Sequence, residues 1–148
     1  MEAYTGKELL CIPGKNKSYA VEIPYITELC IQMQLSLIPC LPDCFAGVCN
    51  YKGNIVPVVE LEEEKAEGKK RDMVLITEWG KYRMGIHFSG EPYAIFATDK
   101  DKIESPEEME PSGIWIEKDI YKKDNKVVYV IDMEKSIESL VIFHNRRH

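Results

Sequence analysis

Apolar residues along this chain come in short runs cut by glycine, proline and asparagine, and the spacing is that of strands. Leu9-Leu10-Cys11-Ile12 runs into the turn cluster Pro13-Gly14-Lys15-Asn16, and Tyr19-Ala20-Val21-Glu22-Ile23 follows. This predicts two strands joined by a Gly/Asn turn. Pro24 stops the second strand. Residues 25–29 read as one helical turn, with a strand-like Cys30-Ile31-Gln32-Met33 after it. Residues 37–43 contain Pro39 and Pro42 and predict an irregular crossing. The strongest pair of runs is 45–51 and 54–61, which flank Asn50-Tyr51-Lys52-Gly53-Asn54 and predict a β-hairpin.

A polar stretch, residues 62–72, reads as a loop or linker. Beyond it, strands are expected at 73–77, 82–86 and 93–97, the first two joined through Trp79-Gly80-Lys81. Residues 114–121 should pair with 127–131 across a turn containing Asp124-Asn125. One helix is expected: Asp132 can cap it, and Met133, Ile137, Leu140 and Val141 fall on one face. Many short strands and a terminal helix predict an all-β fold of small barrels or a sandwich. The polar stretch divides the strands into two groups. The pattern therefore gives one domain, 1–148, of two tandem β-barrels: 1–66, then 67–148 with a C-terminal helix able to pack back on the first. The halves share no evident sequence repeat.

Composition narrows the function. The chain has 148 residues, 45% of them apolar, enough for a packed core, and a net charge of −6. An acidic balance argues against nucleic acid, whose phosphates demand a basic face. The basic Lys69-Lys70-Arg71 follows the acidic Glu62-Glu63-Glu64 and reads as a solvated loop. No run approaches a membrane span, and the N-terminus lacks the plan of a signal peptide, so a cytoplasmic protein without membrane insertion is expected. The cysteines are Cys11, Cys30, Cys40, Cys44 and Cys49; an odd number in such a chain argues against a disulfide framework. Cys40, Cys44 and Cys49 lack a zinc knuckle, and no histidine is near them in sequence. No metal or cofactor is expected.

Little else could do covalent chemistry. His87 stands alone, without a nucleophile near it in sequence. Asp99, Asp101 and Glu104 alternate with Lys100 and Lys102 but lack the spacing of a calcium loop. Glu107-Glu108-Met109-Glu110 reads as an acidic surface loop. Pro57, inside an apolar strand, implies a sheet edge or a bulge. The hairpin at 45–61 presents a backbone turn bearing one cation, Lys52, on a stiff scaffold. Gly47 and Gly53 are expected to meet backbone requirements, positive φ or close approach. These features fit a docking surface better than an active site. The competing reading is a small β-barrel that binds a ligand or metal through Cys40, Cys44, Cys49 and His87.

The hairpin also carries a resemblance. Ala46-Gly47-Val48-Cys49-Asn50-Tyr51-Lys52-Gly53-Asn54-Ile55-Val56-Pro57-Val58-Val59-Glu60-Leu61 resembles the core of the CheW-like family, the coupling adaptors of bacterial chemotaxis. That core reads apolar-Gly-Val-apolar-Asn-Leu-Arg-Gly-x-apolar-apolar-Pro-Val-apolar-Asp-Leu. The segments 19–23, 26–29, Pro39 with Pro42, and 127–140 are similar to the family's flanking elements. The resemblance implies two five-stranded SH3-like β-barrels and a non-catalytic adaptor. Such an adaptor couples the cytoplasmic signalling tip of a chemoreceptor to the regulatory domain of a CheA-type histidine kinase, in arrays at the inner membrane face. The receptor hairpin would lie in a groove between the barrels, and the kinase would pair barrel to barrel. The binding residues it implies are Ile26, Glu28, Gly47, Asn50, Lys52 and Gly53. Lys52 replaces the family's arginine, Tyr51 a leucine and Glu60 an aspartate. The segment 85–92 departs furthest, so the pairing surface it carries has changed.

Overall fold

The computed structural model describes residues 5–15, 17–39, 42–62, 73–104 and 113–145, with side chains described only to Val141 in the last helix. Cys40, Asn16 in the first turn, the basic cluster at 69–71, the acidic loop at 107–110 and the extreme C-terminus lie outside the described residues. The tight turns close four hairpins. β1 (Gly6–Pro13) turns into β2 (Ser18–Glu22), with Gly14 N–H donating to the Lys17 carbonyl at 2.9 Å. β4 (Phe45–Tyr51) turns into β5 (Asn54–Glu60), and β6 (Met73–Trp79) into β7 (Tyr82–Phe88) through Gly80. β10 (Glu117–Lys123) turns into β11 (Lys126–Ile131). There Asp124 and Asn125 have φ of 52° and 64°, the left-handed pair that a two-residue hairpin requires.

The remaining elements are β3 (Ile26–Ile31), β8 (Tyr93–Thr98), a 3-10 turn at Asp99–Asp101, the short β9 (Lys102–Ile103) and α1 (Met133–Asn145), besides a 3-10 turn before β3. The helical turn expected at 25–29 falls earlier, at Ile23–Tyr25, with Pro24 in its middle. Residues 26–31 then pair with β6 as a strand. Tertiary pairing overrides the local signal there.

Two sheets form SH3-like halves, as the all-β reading expected. One has five strands in the order β3-β6-β7-β5-β4 and the other six, β8-β1-β2-β11-β10-β9, the sixth being the two-residue β9. The sheets do not divide at the polar stretch. β6 and β7, which follow it, pair with β3 and β5, which precede it. β1 and β2 pair instead with β8 and β11 from the far end of the chain. Polarity marks where a chain leaves a sheet; matching of apolar faces decides which sheet it re-enters.

Three apolar clusters explain the strand patterns. Leu9, Cys11, Ala20, Ala97, Tyr121, Val128 and Val130 fill the six-stranded half. Ala46, Cys49, Tyr51, Val56, Val58, Val74 and Ile76 fill the five-stranded half. A central cluster lies between the sheets, joining Ile12 and Val21 to Val59, Leu75 and Ile86 and to Trp115. Met133, Ile137 and Leu140 bring the expected helix face into it. Strand alternation sends successive residues to different clusters, so Met73, Val74, Leu75 and Ile76 are all buried. Pro57 is not on an edge strand: β5 lies between β7 and β4, but its ladder with β7 begins at Val58. The missing N–H therefore falls before that ladder.

Candidate functional site

The β4–β5 turn is held by its own side chain. Asn50 Oδ1 accepts a hydrogen bond from Gly53 N–H at 3.0 Å, while Lys52 and Gly53 have φ of 49° and 86°. The left-handed pair again suits a tight hairpin. This turn meets β3 at the opposite edge of the sheet. The Tyr51 hydroxyl donates to Glu28 Oε1 at 2.9 Å, Lys52 Nζ lies 3.7 Å from the same oxygen, and Cys30 Sγ lies 3.6 Å from Oε2. Because β3 and β4 end the strand order, these contacts close the five-stranded half into a barrel.

The electrostatics follow from the contacts. The bond from Tyr51 chiefly holds the Glu28 carboxyl below its usual range, with Cys30 and Lys52 adding to it. Tyr51 is raised, first by desolvation and then by Glu28. Burial and then Glu28 push the Cys30 thiol up to about 11. The Lys52 and Glu28 side chains are 72% and 46% exposed. Their ion pair belongs to the weak surface class, about 0.2–1 kcal/mol, so Lys52 is available for a partner at small cost to the fold.

Glu28, Asn50, Lys52 and Gly53 are thus brought together. Gly47 serves a different purpose at the other end of β4. Its φ is +143°, and a Cβ there would come 2.5 Å from the Ser36 carbonyl oxygen. Residue 36 is bridged to Val48 by two backbone hydrogen bonds of 2.8 and 2.9 Å, so Gly47 lets the proline-bearing crossing lie against the strand. Ile26 is half-buried against the central cluster, opposite Thr77.

Three residues near the turn were missed by sequence reasoning. Ile55 is 66% exposed; alternation with the inward Val56 and Val58 is the signal that could have found it. Tyr51 and Arg83 meet only through the fold: Arg83 Cζ lies 5.5 Å from the Tyr51 ring centroid, and Lys52 Nζ 5.4 Å from it. Ile55, Pro57, Lys81, Tyr82 and Arg83 line a groove of about 710 Å³ with Leu140 and Val141 of α1.

The described reactive side chains of the competing reading, Cys44, Cys49 and His87, lie in different surroundings. Cys49 is inside the five-stranded half, and Cys44 packs against the central cluster. His87 is buried with Nδ1 3.0 Å from Glu60 Oε2. Trp115 Nε1–H donates to the Glu60 carbonyl at 3.0 Å, so this neighbourhood ties the sheets together. Among the described residues, no three His, Cys, Asp or Glu side chains are grouped to hold a metal ion.

Comparison with known proteins agrees with this geometry. The family model of the CheW-like domain matches residues 8–141. The chemotaxis protein CheW of Klebsiella aerogenes is 25% identical over 138 residues, covering 90% of this chain and 83% of that protein. The crystal structure of the scaffolding protein TtCheW from Thermoanaerobacter tengcongensis has the same fold, with a TM-score of 0.74 at 21% identity. That match covers 86% of this chain and 90% of TtCheW. A family match over most of the chain, with the family's hairpin motif seated in the barrel its fold requires, identifies the protein as a member of the CheW-like domain family.

Proposed function

We propose that this protein is a non-catalytic adaptor that couples chemoreceptors to a CheA-type histidine kinase. The observation carrying the proposal is the hairpin rim, where Lys52, Gly53 and Asn50 project from a closed barrel and Glu28 holds the turn from the opposite edge. Such a rim offers charge and backbone on a rigid support, and its one thiol, Cys30, is held protonated by burial and by Glu28, which suits positional coupling. The relatives support the reading through their names, a chemotaxis protein and a scaffolding protein. Ile26 and Gly47 would contribute indirectly, by seating β3 and β4.

In this reading the partners are the cytoplasmic tip of a receptor and the regulatory domain of the kinase, and the adaptor works at the cytoplasmic face of receptor arrays. No helix among the described residues is long and apolar enough to cross a membrane. The kinase surface would draw on the drifted strand β7, so this adaptor would have its own matched kinase.

Co-sedimentation of the purified protein with a receptor signalling tip and a kinase regulatory domain tests the proposal, and binding to neither defeats it. Lys52→Glu should weaken capture by the receptor tip severalfold while the melting temperature stays close to wild type. Equal capture of the variant would remove Lys52 from the binding surface.

A further inference from the structure

Lys52 alone is a poor substitute for arginine. An ammonium is a point charge, whereas a guanidinium offers a planar fork that pairs with both oxygens of a carboxylate. The fold supplies such a fork from elsewhere. Arg83, on β7, brings its guanidinium over the ring of Tyr51, the same ring that Lys52 approaches from the end of β4. Both charged groups lie within 5.5 Å of one ring centroid, although β5 separates their strands. The ring is 5% exposed and its hydroxyl is fixed on Glu28, so the platform is rigid. Its negative π-face attracts both cations.

The counter-charges leave room for a ligand. Lys52 is 3.7 Å from Glu28 Oε1, beyond a good hydrogen bond, and that oxygen already accepts from Tyr51. Glu78 engages Arg83 through a single oxygen, Oε1, which accepts from Nε at 2.6 Å and from Nη2. A guanidinium has five N–H donors, so this grip orients the plane without exhausting it. The Arg83 side chain is 34% exposed against 72% for Lys52. A carboxylate reaching Arg83 is thus partly shielded from water, where a charge-assisted bond is stronger. Lys81, over the neighbouring Tyr82 ring, adds a third cation to this rim of a chain whose net charge is −6.

We infer that Arg83 is a specificity-determining residue of the docking site: it supplies the guanidinium that the hairpin turn lacks, and an acidic side chain on the partner's helix is received between Arg83 and Lys52 across Tyr51. This rests on the adaptor reading and adds to it the residue that selects an acidic partner.

The test is calorimetric titration of the full chain with a soluble receptor signalling-tip fragment. Arg83→Lys keeps the charge and removes the fork, and should weaken binding about five- to tenfold. Lys52→Arg introduced into that variant should recover part of the loss, a rescue that a merely structural arginine would not give. Glu78→Gln releases the guanidinium from its own carboxylate and should tighten binding; it keeps the test open if Arg83→Lys folds poorly. Wild-type affinity in both Arg83→Lys and Glu78→Gln, with Lys52→Glu still weakened, overturns the role of Arg83 and leaves the adaptor reading standing. No binding by the wild-type chain overturns both.

Discussion

One methyl group added at Gly47 and one at Gly53 should have unequal consequences. At Gly47 the new Cβ meets the Ser36 carbonyl at 2.5 Å, and φ is +143°. Gly47→Ala should therefore lower stability by about 2–4 kcal/mol, read from the urea midpoint. At Gly53 nothing lies within 4 Å, and only φ of +86° opposes a side chain. Gly53→Ala should cost about 1 kcal/mol. At the rim, burial and Glu28 hold the Cys30 thiol at about 11, so its alkylation should be slow at neutral pH and rise towards pH 11. Glu28→Gln should shift that rise to lower pH, because it removes a negative charge that opposes the thiolate. The turn, with Lys52 and its glycine, was legible because it is encoded within a few adjacent residues. Tyr51, Glu28 and Arg83 meet from three strands, and their chemistry emerges only once the barrel closes.

At the scale of elements, the helix shows what local pattern can and cannot reveal. Asp132 caps α1 as its sequence implies: Oδ1 accepts from Lys135 N–H at 3.0 Å. Asp132→Ala should cost about 1 kcal/mol in thermal or urea unfolding. The tie between helix and sheet was not legible. Ser136 is buried and its Oγ accepts from Ile116 N–H at 2.9 Å, while Asp132 N–H donates to the Ile116 carbonyl at 2.7 Å. Ser136→Ala would leave a partly buried N–H without this acceptor and should cost about 1–3 kcal/mol. Hairpins were readable because their turns and alternation are contiguous. β3 was partly misread because Pro24 and the short helical turn sit directly before it, and its strand character comes from pairing with β6.

For the whole molecule, three weak acids hold their protons to high pH. Burial raises the Cys11 thiol from 9.0 to about 11 and Tyr19 from 10.0 to about 12, while the bond to Glu134 raises Tyr25 to about 12. Each holds its proton more tightly folded than unfolded, so its contribution is intact below pH 9–10 and is lost as pH rises through 11–12. Melting temperature should fall over that window, and less steeply in Tyr25→Phe. The two-barrel class was legible from strand number and turn spacing. The membership of each barrel was not, since a strand buried on both faces, such as β6, fits either sheet by pattern alone.

That membership has a consequence for synthesis. The five-stranded sheet is one continuous stretch, 26–88, whereas the six-stranded sheet joins β1 and β2 to strands after residue 92. During translation the five-stranded barrel has all its strands as soon as β7 emerges from the ribosome. The first hairpin must wait for β8 and β11, holding unpaired edges meanwhile. The half that would meet the receptor is the inserted one, and it is finished first; the half made from the chain's two flanks clasps it last.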